Sequence, residues 1–267
     1  YAAPAMFERM LQATRYSNNE QIPEFLRSHP LSENRIADTR NRARKYPKKV
    51  RESDLEYQLM RARVITELAA SPAQAVERFR GEQEGASTSP EAATYGLVLA
   101  LTAAGRADEA GLELDSIWSK NPERLEYIIA DAEIEMVRNR SAEAANKLRR
   151  RLDVSPGNHP LTMAYATALM KNQQPHIAEE VLVAQSKRRP NDPGLWYLLA
   201  EVQGLAGDIL GLHQSRAEYF ILNGDLEQAR KQLTYALKLT GSDFHASSRI
   251  NQRLADVARM QEQLEEF

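Results

Sequence analysis

The chain has 267 residues, enough to bury a sizeable core, and a net charge of −2 from 35 Lys and Arg against 37 Asp and Glu. This balance excludes an attraction of the whole chain to nucleic acid or to an acidic membrane, so only a local patch could bind either. Cysteine is absent, which excludes disulfides and thiolate zinc sites, and without a run of about 18 apolar residues the sequence predicts no transmembrane segment.

Residues 1–46 predict three short helices that stand apart from the rest of the chain. The segment PAMFERMLQA is amphipathic, IPEFLRSHP runs into a proline turn, and SENRIADTRNRARKY begins with Ser32 as a possible cap. From residue 47 to residue 267, helical periodicity continues and no convincing alternating strand is found. The sequence therefore predicts an all-α chain with a boundary between residues 46 and 47.

A repeat of 34 residues organises the second part. It appears in Pro122, Pro156 and Pro190, and again in Ala110, Ala144 and Ala178. This period is typical of tetratricopeptide repeats, in which a small residue lets two helices pack closely and proline follows the second helix. Helix starts agree with this interpretation at Ser71-Pro72, Ser89-Pro90 and Asp192-Pro193. We therefore predict an α-solenoid of antiparallel helix pairs.

The repeat changes phase near its end. After residue 207, Gly224 and Ala229 restart the pattern half a period early, which indicates that one helix is shared by two repeats. An amphipathic helix over 244–267 is then expected to cover the apolar edge of the last repeat.

The first helix of each tetratricopeptide pair usually lines a binding groove at its fifth, ninth and twelfth positions. Phased by the prolines, these positions hold Tyr95, Leu99, Ile129, Glu133, Met136, Met163, Thr167, Met170, Tyr197 and Glu201. The fifth and ninth positions lack the lysine and asparagine that would hold a terminal carboxylate. Methionine and tyrosine favour unfolded chains or a partner helix instead. The alternative is that several of these residues pack against neighbouring helices or against a further domain.

The segments YAAPAMFERML and FLRSHPLSENRIADTRNRA resemble the stretch after the third zinc ligand in HExxH metallopeptidases of the bacterial BepA/YfgC type. In that family a tetratricopeptide domain follows the peptidase domain. The resemblance implies that residues 1–46 are the end of a peptidase domain, and that zinc is the cofactor of the parent protein. It also implies a periplasmic location and a role in outer-membrane protein quality control. The implied partners are unfolded or misassembled outer-membrane proteins and the β-barrel assembly machinery.

This sequence does not contain the catalytic ligand set of that family. HExxH is absent, and no two of the five histidines are four residues apart. We therefore expect this chain alone to be inactive and to hold no zinc tightly. The resemblance places His29 on a loop near the active site, as an auxiliary or gating ligand of zinc. The alternative is a loop histidine that only precedes the turn at Pro30.

Two other functions remain open at this point. The chain could be a non-enzymatic tetratricopeptide adaptor, which the sequence encoded upstream of Tyr1 would decide. The basic run RNRARKYPKKVR (40–51) could bind an anionic partner such as lipopolysaccharide or nucleic acid, and the chain could also associate peripherally with a membrane. A solvated linker explains that run better, because a short patch in a slightly acidic chain offers little stacking surface, and we predict no nucleic-acid binding.

Overall fold

The computed structural model describes residues 3–8, 33–46, 54–85 and 88–265, and these ranges contain helices and no strand. The predicted all-α fold is confirmed. The chain divides into two compact units, Tyr1–Ser53 and Asp54–Phe267, so the division falls a few residues after the boundary expected at residue 46.

The first unit contains helices α1 (3–8) and α2 (Glu33–Ala43) in its described residues. Arg40 of α2 donates from Nε to Oε1 of Glu8 in α1 over 2.9 Å. Ile36 and Ala43 of α2 are buried. The origin of this unit in a peptidase domain stays a prediction.

The second unit is an array of helices in which each helix packs against the next. The first helices of successive pairs also touch, α3 with α5, α5 with α7, α7 with α9 and α9 with α11. None of the helices described is both long and apolar enough to cross a membrane. The helices are α3 (Leu55–Glu67), α4 (Pro72–Glu84), α5 (Pro90–Ala103), α6 (Ala107–Trp118), α7 (Leu125–Val137), α8 (Ser141–Val154), α9 (His159–Lys171), α10 (Pro175–Arg188), α11 (Pro193–Ala206), α12 (Ile209–Leu222), α13 (Leu226–Leu239) and α14 (Phe244–Glu265).

The predicted helix starts are present. The side chains of Ser71, Ser89 and Asp192 each accept the N–H of the residue three positions on, at 3.2, 3.3 and 3.0 Å, and a proline follows each cap. These bonds satisfy donors that a helix N-terminus leaves free, so α4, α5 and α11 begin at defined residues.

The turn inside each helix pair is the same backbone structure every time. A residue with positive φ follows the first helix at Gly105 (76°), Asn139 (62°), Gln173 (58°) and Gly207 (82°), which are spaced by 34 residues. After each of them, the next N–H donates to the carbonyl five residues back over 2.9 Å. This is the Schellman ending of a helix. The backbone therefore repeats with the period seen in the sequence.

The phase change after residue 207 is visible in the same turn. Gly224 has φ 79°, and Asp225 N–H donates to Phe220 O over 2.9 Å, so α12 ends as a first helix does. Seven residues before Gly224 lies buried Ala217, the same offset that relates Ala132, Ala166 and Ala200 to their turns. Helix α12 is therefore the second helix of one pair and the first helix of the next.

The core consists of three apolar clusters along the array, over α3–α7, α7–α11 and α12–α14. Alanines at the repeated small positions are fully buried, which allows the paired helices to approach closely: Ala110, Ala144 and Ala178. Between the last two clusters lies a polar contact, in which buried Ser215 donates to Oε1 of Gln203 over 2.6 Å. Helix α14 packs against α13 through buried Ile250 and Val257, and its role as a cap stays a prediction.

Candidate protein-binding surface

The first helices of the pairs lie side by side and carry the residues predicted to line a groove. The structure separates these residues into a buried group, an ion-paired residue, a half-buried group and an exposed group.

Three of the predicted groove residues are buried, which corrects that part of the prediction. Tyr95 is 0% exposed, Leu99 is 5% exposed and Met136 is 8% exposed. For Tyr95 and Leu99 the reason is that α5 is buried on every side from Ala92 to Leu101, since α3, α4, α6 and α7 all contact it. Met136 lies on α7 and is buried in the apolar cluster over α7–α11. The stretch AATYGLVLAL is apolar all round rather than on one face, and that signal predicts burial. These three side chains are part of the packing of the array.

Glu133 is held in an ion pair that joins three first helices. Arg63 of α3 donates to Oε1 of Glu133 in α7 over 2.8 Å and to the hydroxyl of Tyr95 in α5 over 2.9 Å. Burial opposes the charge of Arg63, but the carboxylate of Glu133 and the hydrogen bonds outweigh it and hold the pKa of Arg63 above its ordinary value. Arg63 therefore links α3, α5 and α7, and the Glu133 carboxylate is already engaged within the array.

The rest of the predicted lining is accessible to different degrees. Ile129, Met163, Thr167 and Met170 are half-buried, whereas Tyr197 is 52% exposed and Glu201 is exposed. The Thr167 hydroxyl donates to Met163 O over 3.0 Å, so its donor is used within α9. Accessible surface is therefore concentrated on α9 and α11.

A pocket of about 170 Å³ lies where α11, α12 and α13 meet. The ring centroids of Tyr197 and Tyr219 are 5.5 Å apart, and those of Tyr219 and Phe220 are 5.4 Å apart. A hydrogen bond to Glu201 and the charge of that carboxylate raise the pKa of Tyr197. The pocket is lined by Tyr197, Ala200, Glu201, Arg216, Tyr219, Phe220 and Gln232.

The sequence prediction named Tyr197 and Glu201 but missed the α12 and α13 side of this pocket. The positions counted from the prolines stop at α11, because no proline marks the turn after α12. The restart at Gly224 is the signal that could have found it, since it gives α12 the role of a first helix.

A zinc centre does not fit the described residues. Within residues 3–8, 33–46, 54–85 and 88–265, no group of three His, Asp or Glu side chains could hold a metal ion. His29 lies outside the described residues, so its predicted role as a gating ligand stays a prediction.

Comparison with known proteins gives relatives over the full length of the chain. No family model matches the sequence. The chain is 28% identical over 267 residues to the β-barrel assembly-enhancing protease of Escherichia coli, which covers 100% of this chain and 54% of that protein. It is 26% identical over 270 residues to the protein of the same name from Yersinia pestis, with 100% and 54% covered.

A solved structure of a tetratricopeptide repeat protein from Parabacteroides merdae matches 83% of this chain and 90% of its own, with a TM-score of 0.44 and 13% identity. The chain spans about half the length of the curated relatives it matches. The resemblance expected from the sequence is confirmed, because every residue of this chain falls within a region of similarity to β-barrel assembly-enhancing proteases.

Proposed function

We propose that this chain is the protein-binding part of a periplasmic zinc metalloendopeptidase that acts in the quality control of outer-membrane β-barrel proteins. The observation that carries this proposal is the similarity along the whole chain to proteins named β-barrel assembly-enhancing protease. The array binds unfolded or misassembled outer-membrane proteins, or the assembly machinery, while residues outside this chain hold the metal.

The surface on α9 and α11 supports a binding role of this kind. Met163 and Met170 are half-buried, so their flexible thioethers can adapt to different apolar side chains. Tyr197 adds an exposed ring with a polar end, which suits a partner that is partly apolar and partly wet. Such a face tolerates varied sequences, as a binder of unfolded chains requires.

In this proposal, zinc supplies the peptide-hydrolysing centre of the parent protein, and His29 is a gating ligand close to it. We expect this chain alone to have no peptidase activity. An adaptor without peptidase activity would bind the same partners, so binding alone does not separate the two functions.

The test measures binding of a urea-unfolded outer-membrane porin, diluted from urea, to the 267-residue chain by fluorescence anisotropy. A Met163→Gln/Met170→Gln variant should bind about tenfold more weakly, because two apolar contacts are lost. The control is Leu112→Gln/Val154→Gln, which changes two exposed apolar residues on the second helices α6 and α8 and should bind as the wild type does.

Equal losses in both double variants, with helicity unchanged by circular dichroism, would contradict the assigned face. A loss of porin binding as salt rises would point instead to the basic run over 40–51. The parent protein should degrade a misassembled barrel protein more slowly when it carries Met163→Gln/Met170→Gln. A parent protein that binds the porin but cleaves no barrel protein would support the adaptor.

A further inference from the structure

We propose that the pocket between α11, α12 and α13 binds one aromatic side chain of an extended polypeptide, and that Arg216 pairs with an acidic side chain two residues away in that polypeptide. This inference deepens the proposed function by naming a sequence feature of the partner, and it rests on that function.

The size of the pocket selects a single side chain. Its volume of about 170 Å³ is smaller than the roughly 300 to 1,000 Å³ of pockets that enclose a drug-sized molecule. It also opens beside the exposed ring of Tyr197, so a chain can lie across the surface and insert one group.

The lining of the pocket selects an aromatic group. Tyr197 and Tyr219 are tilted by 60° to each other, and Tyr219 and Phe220 meet at 65°. Aromatic rings prefer such inclined arrangements over a face-to-face sandwich, so a further ring can continue this cluster. Ala200 also lines the pocket, and its small side chain takes little of that space.

The charges at the rim select an acidic neighbour. Glu201 lines the pocket beside Tyr197, and its interaction with the tyrosine hydroxyl raises the pKa of Tyr197. Arg216 is exposed and forms no ion pair with any residue that the structure describes, and the same holds for Glu201. The rim therefore carries a positive charge on the α12 side and a negative charge on the α11 side, so an acidic side chain is attracted to Arg216 and repelled when it approaches from the side of Glu201.

The spacing follows from the geometry of an extended chain. Side chains of successive residues point to opposite sides, whereas residues i and i+2 point to the same side, roughly 6.6 Å apart. Arg216 lines the same pocket as the rings, so the acidic group must leave the chain on the side of the aromatic group. The partner sequence is therefore aromatic-x-acidic or the reverse.

The experiment uses acetylated and amidated peptides with a central Phe-Ser-Asp, Leu-Ser-Asp or Phe-Ser-Asn, titrated against the 267-residue chain at low salt. Phe-Ser-Asp should bind about tenfold more tightly than Leu-Ser-Asp and about threefold more tightly than Phe-Ser-Asn. Equal affinity for the three peptides would overturn the inference.

Matched variants assign each preference to its residue. Tyr197→Ala should remove the preference for Phe over Leu, whereas Tyr235→Ala should keep it, because Tyr235 is similarly exposed, at 48%, but lies outside the pocket. Arg216→Gln should remove the preference for Asp over Asn, while Arg230→Gln, at another exposed arginine, should keep it. Both arginines are exposed, so these variants fold even if Tyr197→Ala does not.

The two proposals fail in different ways. If the urea-unfolded porin still binds and depends on Met163 and Met170 while the peptides show no preference, only the pocket inference is wrong. If neither the porin nor the peptides bind, the proposed function is wrong as well.

Discussion

Arg63 joins three helices through one side chain, and its removal should be costly. The Arg63 side chain is 27% exposed and the Glu133 side chain is 28% exposed, so an Arg63→Ala variant leaves a largely buried carboxylate without its cation. We expect the free energy of unfolding to fall by about 2 kcal/mol, measured by urea denaturation with circular dichroism.

Arg61 on the same helix provides the control for that experiment. Its bond to Glu82 is 3.5 Å long, and Glu82, although its side chain is only 12% exposed, keeps a second cation in Arg78 at 3.3 Å when Arg61 is removed. Arg61→Ala should therefore cost less than about 1 kcal/mol. Similar losses in the two variants would mean that the Arg63 ion pair does not stabilise the array.

We expect Tyr95 to make the array lose stability at alkaline pH. Burial raises its pKa to about 12, although the charge of Arg63 opposes this. In the unfolded chain the phenol ionises near pH 10. Between about pH 10 and about pH 12 the unfolded chain therefore loses the phenol proton while the folded chain keeps it. The contribution of Tyr95 to the free energy of unfolding is fully present below about pH 10 and is lost as pH rises toward about 12.

The measurement for Tyr95 is urea denaturation at several values of pH between about 9 and 11. Wild type should lose stability more steeply than Tyr95→Phe, because phenylalanine has no proton to lose. Tyr235→Phe, at an exposed tyrosine, should keep the wild-type slope. If the free energy of unfolding of Tyr95→Phe fell with pH as steeply as that of the wild type, other groups would be the cause of the loss of stability at alkaline pH.

At the scale of single helices, two glycines in adjacent helices should respond to alanine in opposite directions. A Cβ at Gly96 in α5 would lie 2.2 Å from Cε1 of Phe79, whereas a Cβ at Gly81 in α4 would meet nothing within 4 Å. Gly96→Ala should destabilise by about 1 to 3 kcal/mol through overpacking. Gly81→Ala should stabilise by about 0.5 to 1 kcal/mol through helix propensity.

Chemical denaturation of both glycine variants checks this pair. A gain of stability in Gly96→Ala as well would mean that Phe79 moves aside at little cost, and that α4 and α5 are not packed as closely as the structure has them.

The turn inside each helix pair carries a similar test. Gln173 has a φ of 58°, in the left-handed region that a side chain with a Cβ disfavours. Gln173→Gly should therefore raise the free energy of unfolding by about 0.5 to 1 kcal/mol. Asn139→Gly should gain less, because asparagine tolerates this region. A loss of stability in Gln173→Gly would indicate that the glutamine side chain supports the turn.

At the scale of the whole molecule, the second unit should not unfold with equal ease along its length. The apolar clusters over α7–α11 and α12–α14 are separate, and buried Gln203 and Ser215 meet between them. In a repeat array, stability depends on contacts between neighbours, so a polar seam limits coupling across it. We expect amide hydrogen exchange to be faster in α12–α14 than in α5–α9, and uniform protection would contradict this.

Much of this architecture follows from the sequence, and the misses have physical causes. The alanine and proline spacing predicts the helix pairs because close packing and helix ends need particular residues. Tyr95 was predicted to line the groove but is buried, because counting positions in the repeat does not show which first helix is covered by other helices. The pocket was missed because its walls come from a helix whose position in the repeat is set by the turn at Gly224, without a proline to mark it.

The place after α12 is suited to the insertion of an additional helix, because α12 packs against a helix on each side. Since α12 offers one packing surface to α11 and a matching one to α13, a second copy inserted after Gly224 would find both of its contacts already provided. We therefore expect this array to accept one additional helix at that place, rather than a complete pair.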